Sequence, residues 1–348
     1  MRKKIIKITI LLLILLVGLG CLNNLFLPEE RGNDIWKSFY GLPKDTIDMV
    51  FIGSSHCWVG FVPMIFNKTL KLDSYHLGME GTSIEQVYFI LVEALKTQKP
   101  NFVIIELYSI RPIGNSIEEA PMIHSSLDGM KLNKNKIEAV NLNVDQISRL
   151  DYLFLLTKNH TYWKDIDMST LLHSRTSNIN YFGYKNQLLT PYKIKGEKIV
   201  EESSELYDVK YLPQNRIDIL EDIEKICSDN GIELIYVNIP FIEQLEVSQT
   251  ELAQYINGIE SYSERKHVQI LDYSFFDDIG LDKTHLTDDG HTNIEGAYLV
   301  STHLANYIGD NYSESLKGIN YDLKADTEQK LAEYLSELAE FKENSENH

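Results

Sequence analysis

The chain has 348 residues, 43% of them apolar, and a formal net charge of −18. That apolar share supports a real core and excludes general disorder, and the length fits one large α/β domain with insertions or two domains. Four basic residues, Arg2, Lys3, Lys4 and Lys7, crowd the first seven positions. The rest is therefore more acidic still, which excludes a phosphate backbone, and so nucleic acid, as a partner.

In chain order, the basic start is followed by an apolar run, Ile8 to Leu22, broken only by Thr9 and extended past Asn23-Asn24 to Leu27. As a helix this stretch is just long enough to cross a bilayer, and the basic flank places the N-terminus inside. Residues 1–28 are thus expected to be a single-pass anchor in the cell membrane, with an extracytoplasmic domain beyond. A cleaved signal peptide is the alternative, and Gly18-Leu19-Gly20-Cys21 adds a lipoprotein cleavage box as a third. Residues 29–46 read as a polar juxtamembrane link with scattered aromatics.

Asp48 to Ser55 is the first strand and its tip: four apolar residues, Met49-Val50-Phe51-Ile52, then Gly53-Ser54-Ser55-His56. A short, wholly apolar run fits a strand covered on both faces, as in a parallel sheet. Cys57 to Phe66 predicts a short helix under the tip. Ser74 to Leu77 predicts a second strand. A capping box of Thr82 and Glu85 predicts a helix running to Gln98, with Ile84, Val87, Leu91 and Leu95 on one face and Pro100 as its stop. Phe102-Val103-Ile104-Ile105 is a third strand, ending at Glu106.

The alternation breaks over about residues 110–206, rich in Asn, Tyr, Leu and Lys, with helical pieces expected near 144–158 and 164–173. A helical insertion on the ligand side of the sheet, acting as a lid or substrate platform, fits this pattern. Regular alternation then resumes: a helix over 213–229, a strand over 232–239, a helix over 248–266, a strand over 268–271, a polar loop over 282–291 and a helix over 294–308. A charged helix over 328–342, within a tail at 311–348, is suited to packing. The fold class predicted is α/β, three layers (α/β/α) around a mostly parallel sheet, with the main domain over 47–310.

Ligands bind beyond the carboxyl ends of strands in such sheets, where Gly53 to His56 lie. Ser55 is the candidate nucleophile, and a hydroxyl needs a base. The polar loop offers two Asp-x-x-His units, Asp282/His285 and Asp288/His291. A carboxylate on one imidazole nitrogen leaves the other free to take a serine proton. Solvated surface and metal ligation are the alternatives for this loop, although no helical His-Glu-x-x-His pairing supports a metal. Cys21, Cys57 and Cys227 have no metal-type spacing and form no disulfide framework. Cys57 reads as a small buried hydrophobe, and His124, His173 and His303 as structural. Glu106 reads as a holder of backbone or of an arginine. Asn159-His160-Thr161-Tyr162-Trp163 is either a sugar platform or a packed Trp beside a capping His.

Taken together, the first and last polar stretches resemble the SGNH/GDSL hydrolase superfamily. Within it the chain looks like the membrane-anchored bacterial branch related to the D-alanine transfer protein of teichoic acid modification. Phe51 to His56 matches the first block, with Ser54 where the commonest pattern has Asp. Leu77-Gly78-Met79-Glu80-Gly81-Thr82 is similar to the second, Lys99 to Leu107 to the strand before the third, and Asp288 to Ala297 to the last. The resemblance runs through residues 35–310 apart from the insertion. It implies a flavodoxin-like SGNH fold, Ser55 as nucleophile rather than Ser54, His291 as base and Asp288 as its orienter. The N–H groups of Ser55 and Gly81 would receive the oxyanion, and Ser54 and His56 would line the oxyanion and substrate site, His56 at its rim. The third block lacks its asparagine: Tyr108-Ser109-Ile110-Arg111 stands there, so Arg111, a hydroxyl or a group of the insertion would substitute.

The function so implied is a metal-independent serine esterase or O-acyltransferase that needs no cofactor. Its partners would be an acylated cell-surface polysaccharide, peptidoglycan or teichoic acid, and, for transfer, a multi-span membrane acyltransferase. The alternative is a catalytically weak scaffold or binding module in cell-envelope polysaccharide modification.

Overall fold

The computed structural model describes residues 2–25, 31–110, 121–159, 182–183, 212–239, 258–266, 268–273, 279–288, 290–319 and 325–346. Helix α1 (Arg2–Leu25) is followed by α2 (Arg31–Gly41). The first half of the domain comprises β1 (Met49–Ile52), α3 (Ser55–Gly60), α4 (Pro63–Leu70), β2 (Ser74–His76), α5 (Ile84–Ala94) and β3 (Phe102–Glu106). The insertion contributes α6 (Pro121–Leu127), α7 (Lys134–Asn143), α8 (Arg149–Leu153) and α9 (Leu155–Asn159). Then come α10 (Gln214–Asp229), β4 (Glu233–Asn238), a helical segment at 258–266, β5 (Ile270–Asp272), α11 (Ile294–Asn311) and α12 (Ala325–Glu346).

The strands form one five-stranded sheet in the order β2-β1-β3-β4-β5, every neighbouring pair parallel. This is the doubly wound order of flavodoxin-like folds. Side chains alternate across it with period two. Val50, Ile52, Val103 and Ile105 face a core completed by α2, α5 and α10. Met49, Phe51, Phe102, Ile104, Ile235 and Val237 face a second core closed by α3, α4, α11 and α12. Helices on both faces make three layers, as the continuous apolar strands predict.

Several expectations shift. Residues 31–41 are not a link: they form α2, whose Ile35, Trp36 and Phe39 are wholly buried. These side chains recur on one helical face, and the Trp36 indole N–H donates to the Ser126 carbonyl of α6 at 2.8 Å. The single helix expected over 57–66 is two, α3 and α4, because Pro63 can start a helix but cannot continue one. The capping box before α5 is made by Ser83 and Gln86, one residue later than Thr82 and Glu85. The terminal helix contributes Leu331, Tyr334, Leu338 and Phe341 to the second core. Residues 160–181, and with them the helical piece expected at 164–173, lie outside the described residues.

In α1, Ile5, Ile6, Ile8, Ile10, Leu11, Ile14 and Leu15 are all exposed. Among the described residues, no helix is long and apolar enough to cross a membrane. The expected span runs to Leu27, and residues 26–30 lie outside the described residues.

Candidate active site

The carboxyl ends of β1, β2 and β3 converge on the turn at Gly53. Gly53 is required there by close approach. A Cβ would lie 2.7 Å from the Glu106 Cβ and 2.8 Å from the Cys57 Cβ. The chain leaves β1 through Ser54, which caps α3 by accepting the His56 N–H on its hydroxyl at 3.2 Å. Ser55 thereby becomes the first residue of α3, half-buried at the strand tip. Beside it runs the loop after β2, held to the tip by the Met79 N–H donating to the Gly53 carbonyl at 3.1 Å.

His291 arrives from the loop before α11. Its position is fixed locally. Leu286 is wholly buried and bridges Thr292, the Thr287 N–H donates to the His291 carbonyl at 2.8 Å, and Asn293 caps α11 through Glu295 N–H and Gly296 N–H. Asp288 accepts the Gly290 and His291 backbone N–H groups, each at 2.9 Å, closing the turn that carries both side chains.

The result places His291 Nε2 2.8 Å from the Ser55 hydroxyl oxygen and His291 Nδ1 2.9 Å from both Asp288 carboxylate oxygens. An ionised carboxylate can only accept, so the imidazole proton is assigned to Nδ1, and Nε2 is left to accept the Ser55 O–H. Burial works to raise the Asp288 pKa. The bonds from the His291 side chain and the Gly290 N–H, and the charge of His291, more than offset this and hold it at about 2. Asp288 is thus an anion across the physiological range. The arrangement can deprotonate a hydroxyl and return the proton to a leaving group.

The second unit, Asp282/His285, is directed elsewhere. His285 Nδ1 accepts the Asp282 N–H at 3.0 Å, and Nε2 lies 4.0 Å from Glu295, so this pair shapes the base of the loop. Among the described residues no group of His, Cys, Asp and Glu could hold a metal ion.

Ser54 and His56, on either side of Ser55, both turn inward. Ser54 is 1% exposed and donates its hydroxyl to Glu106 Oε2 at 2.7 Å, so it faces the interior, as a helix cap at a strand end must. His56 is 2% exposed and stacks on Tyr108, ring centroids 3.8 Å apart and planes 14° apart. It lies under the site rather than at its rim, and its ring is 4.9 Å from that of His291. Gly81 has φ +58°, a left-handed backbone that favours glycine, and Met122 of α6 packs over it. Arg111 lies outside the described residues.

Of the remaining block-three residues, the Ser109 hydroxyl donates to the Glu106 carbonyl at 2.8 Å and Ile110 is wholly buried. Cys57 is wholly buried, as expected of a small hydrophobe, with its sulfur 3.7 Å from His76 Nε2. His124 pairs with Asp128 at 2.9 Å and His303 bonds the Tyr273 hydroxyl at 2.8 Å, both structural contacts. His173 and residues 160–163 lie outside the described residues.

Glu106, expected to hold backbone or an arginine, holds backbone and also the Ser54 hydroxyl, a link that local spacing does not signal. Its carboxylate is wholly buried and accepts the Ser54 N–H at 3.2 Å, the Ser54 O–H and the Tyr108 N–H. Burial raises its pKa to about 7, against the lowering pull of those donors and of the His291 charge. A lone acid closing an apolar strand run was the available signal.

No protein-family model matches the chain, and none of the curated proteins does. Among solved structures, a GDSL-like lipase from Bacteroides thetaiotaomicron is similar at 13% identity and a TM-score of 0.40, covering 81% of this chain and 99% of its own. A candidate acylhydrolase from Bacteroides fragilis matches at 12% identity and a TM-score of 0.39, over 81% of this chain and 95% of its own. A candidate lipolytic protein of the G-D-S-L family from Desulfitobacterium hafniense gives 11%, 0.37, 74% and 97% respectively. These likenesses are faint, and the chemistry of the chain rests on its own geometry: a three-layer α/β/α fold with Ser55, His291 and Asp288 in hydrogen-bonding sequence at the carboxyl edge of its sheet.

Proposed function

We propose that the protein is an esterase-type serine acyl hydrolase or O-acyltransferase. The observation that carries this is the continuous contact from Asp288 through His291 to Ser55. Ser55 Oγ attacks an ester carbonyl while its proton passes to His291 Nε2, and Asp288 stabilises the imidazolium. The tetrahedral intermediate expels the alkoxide, which takes the proton from His291 and leaves an acyl-Ser55. Water, or a sugar hydroxyl, then gives a proton to His291 and attacks the acyl group, and Ser55 recovers its proton as it leaves. The N–H groups of Ser55 and Gly81 are the proposed oxyanion donors.

The substrate class proposed is an acylated glycopolymer of the cell surface, with the protein held at the outer face of the membrane by residues 1–28, α1 and the apolar residues that follow it. What supports the anchor is a helix with large apolar side chains exposed at seven positions between Ile5 and Leu15, a pattern that seeks an apolar surround. Membrane fractionation of the full chain and of a form lacking residues 2–25 tests it: both forms in the soluble fraction would remove the anchor.

The catalytic reading is tested with a fluorophosphonate probe and turnover of p-nitrophenyl acetate. Labelling and turnover lost in Ser55→Ala and in His291→Ala, with folding retained, are the expected results. A folded wild-type chain that neither labels nor turns over would instead favour a scaffold or binding module, to which the missing asparagine over Leu107–Ile110 points.

A further inference from the structure

Glu106 takes no direct part in the chemistry above, yet it is buried beneath all of it. Both carboxylate oxygens are occupied. Oε2 accepts the backbone N–H and the hydroxyl of Ser54, and Oε1 accepts the Tyr108 N–H. The first pair of bonds holds the residue immediately before Ser55. That residue also caps α3, so its position sets the helix start from which the Ser55 side chain leaves. The third bond turns the chain after β3 so that the Tyr108 ring lies flat on His56.

His56 carries the other half of the site. Its ring packs beside the His291 ring, and Gly290 lies so close to it that a Cβ there would be 3.1 Å from two ring atoms. The loop that presents His291 therefore rests on His56, and His56 rests on Tyr108. Ser55 and His291, from opposite ends of the chain, are referenced to one carboxylate on β3.

We propose that Glu106 is a positioning residue for the Ser55/His291 pair: its buried carboxylate clamps the turn carrying Ser55 and, through Tyr108 and His56, the surface on which His291 is seated. The proposal rests on the acyl-transfer reading of the site. A hydrogen bond of 2.8 Å between a nucleophile and its base is sensitive to small displacements, and a shift near 1 Å costs on the order of 100-fold in rate.

The chemistry of the clamp makes Glu106→Gln a sharp test. All three groups facing the carboxylate are donors, and an amide offers one acceptor oxygen and one donor nitrogen. Whichever end the nitrogen occupies, it meets a donor, while shape and volume are unchanged.

The experiment measures p-nitrophenyl acetate turnover and the rate constant of fluorophosphonate labelling in Glu106→Gln, Ser54→Ala, the double variant, Tyr108→Ala and Ser55→Ala, with circular dichroism confirming fold. Glu106→Gln is expected to lower kcat and the labelling rate constant roughly 10- to 100-fold while KM changes less than about twofold. Ser54→Ala is expected to lose less, and the double variant no more than Glu106→Gln alone, because both act through one turn. Tyr108→Ala should also lower kcat without moving KM, and it stands in should Glu106→Gln fail to fold. Wild-type kcat in folded Glu106→Gln, or fully multiplicative losses in the double variant, overturns the clamp. So does wild-type kcat in Tyr108→Ala when Glu106→Gln does not fold. Turnover surviving in Ser55→Ala overturns the acyl-transfer reading itself, which separates the two failures.

Discussion

His291 Nε2 and Ser55 Oγ lie 2.8 Å apart although 236 residues separate them in the chain. Ser55 leaves from a helix start and His291 from a carboxylate-closed turn. The pair meets because helix start and turn both sit on the carboxyl edge of one parallel sheet.

Asp288→Asn is expected to lower kcat on p-nitrophenyl acetate by on the order of 100- to 10,000-fold, by analogy with amide replacement of a triad carboxylate. An amide nitrogen facing His291 favours the wrong tautomer and removes the charge that stabilises the imidazolium. Because Asp288 is held at about 2, it stays ionised from pH 5 to 9 and adds no transition of its own to the wild-type pH–rate profile. Wild-type kcat in folded Asp288→Asn would contradict the assignment.

Gly81→Ala introduces a Cβ 2.3 Å from the Met122 sulfur, on a backbone with φ +58°. If Gly81 donates to the oxyanion, kcat should fall roughly 10- to 100-fold, less than the cost of losing such a donor entirely. Adding Met122→Gly, which removes the sulfur at 2.3 Å and the Met122 Cβ at 2.5 Å, relieves the clash but not the left-handed backbone, so recovery should be partial. Steady-state kinetics of the two variants decides this, and unchanged kcat in Gly81→Ala would place the donor elsewhere.

Glu106 makes stability depend on pH with a definite sign. Burial raises its carboxyl from 4.5 to about 7 against the pull of its three donors, so ionising it costs more in the folded than in the unfolded chain, although above about 7 it is the carboxylate that those donors hold. That contribution is complete below about 4.5 and is lost as pH rises through about 7, on the order of 3 kcal/mol in all. Denaturant midpoints at pH 5 and pH 8 should therefore fall further in wild type than in Glu106→Gln. Parallel behaviour of the two would remove Glu106 as the source.

Trp36→Ala tests whether α2 belongs to the domain. Trp36 is wholly buried, stacks on Tyr40 at 5.3 Å between ring centroids and bonds the Ser126 carbonyl. Its removal should cost roughly 3–5 kcal/mol by equilibrium unfolding, as for other buried aromatics. A change below about 1 kcal/mol would return residues 31–41 to the status of a tether.

The sequence by itself determined the sheet and its edge. Residues 49–52 and 102–105 read as buried strands because a strand covered on both faces must be apolar at every position. The residue types for base and nucleophile were also legible, because Ser55, Asp288 and His291 stand in polar runs at the ends of apolar ones. What those residues face was not. Ser54 and His56 flank Ser55 and look equally available, but a strand-to-helix turn points neighbouring side chains in different directions, and Ser54 and His56 turn inward. Spacing alone left Asp282/His285 and Asp288/His291 open, the resemblance of residues 288–297 to a hydrolase block pointed to the second, and the loop path is what brings His291 to Ser55. Only the tertiary structure decided that Glu106, 52 residues from Ser54, lies beneath the turn. A contact between strand ends depends on pairing and register, which leave no trace in local spacing.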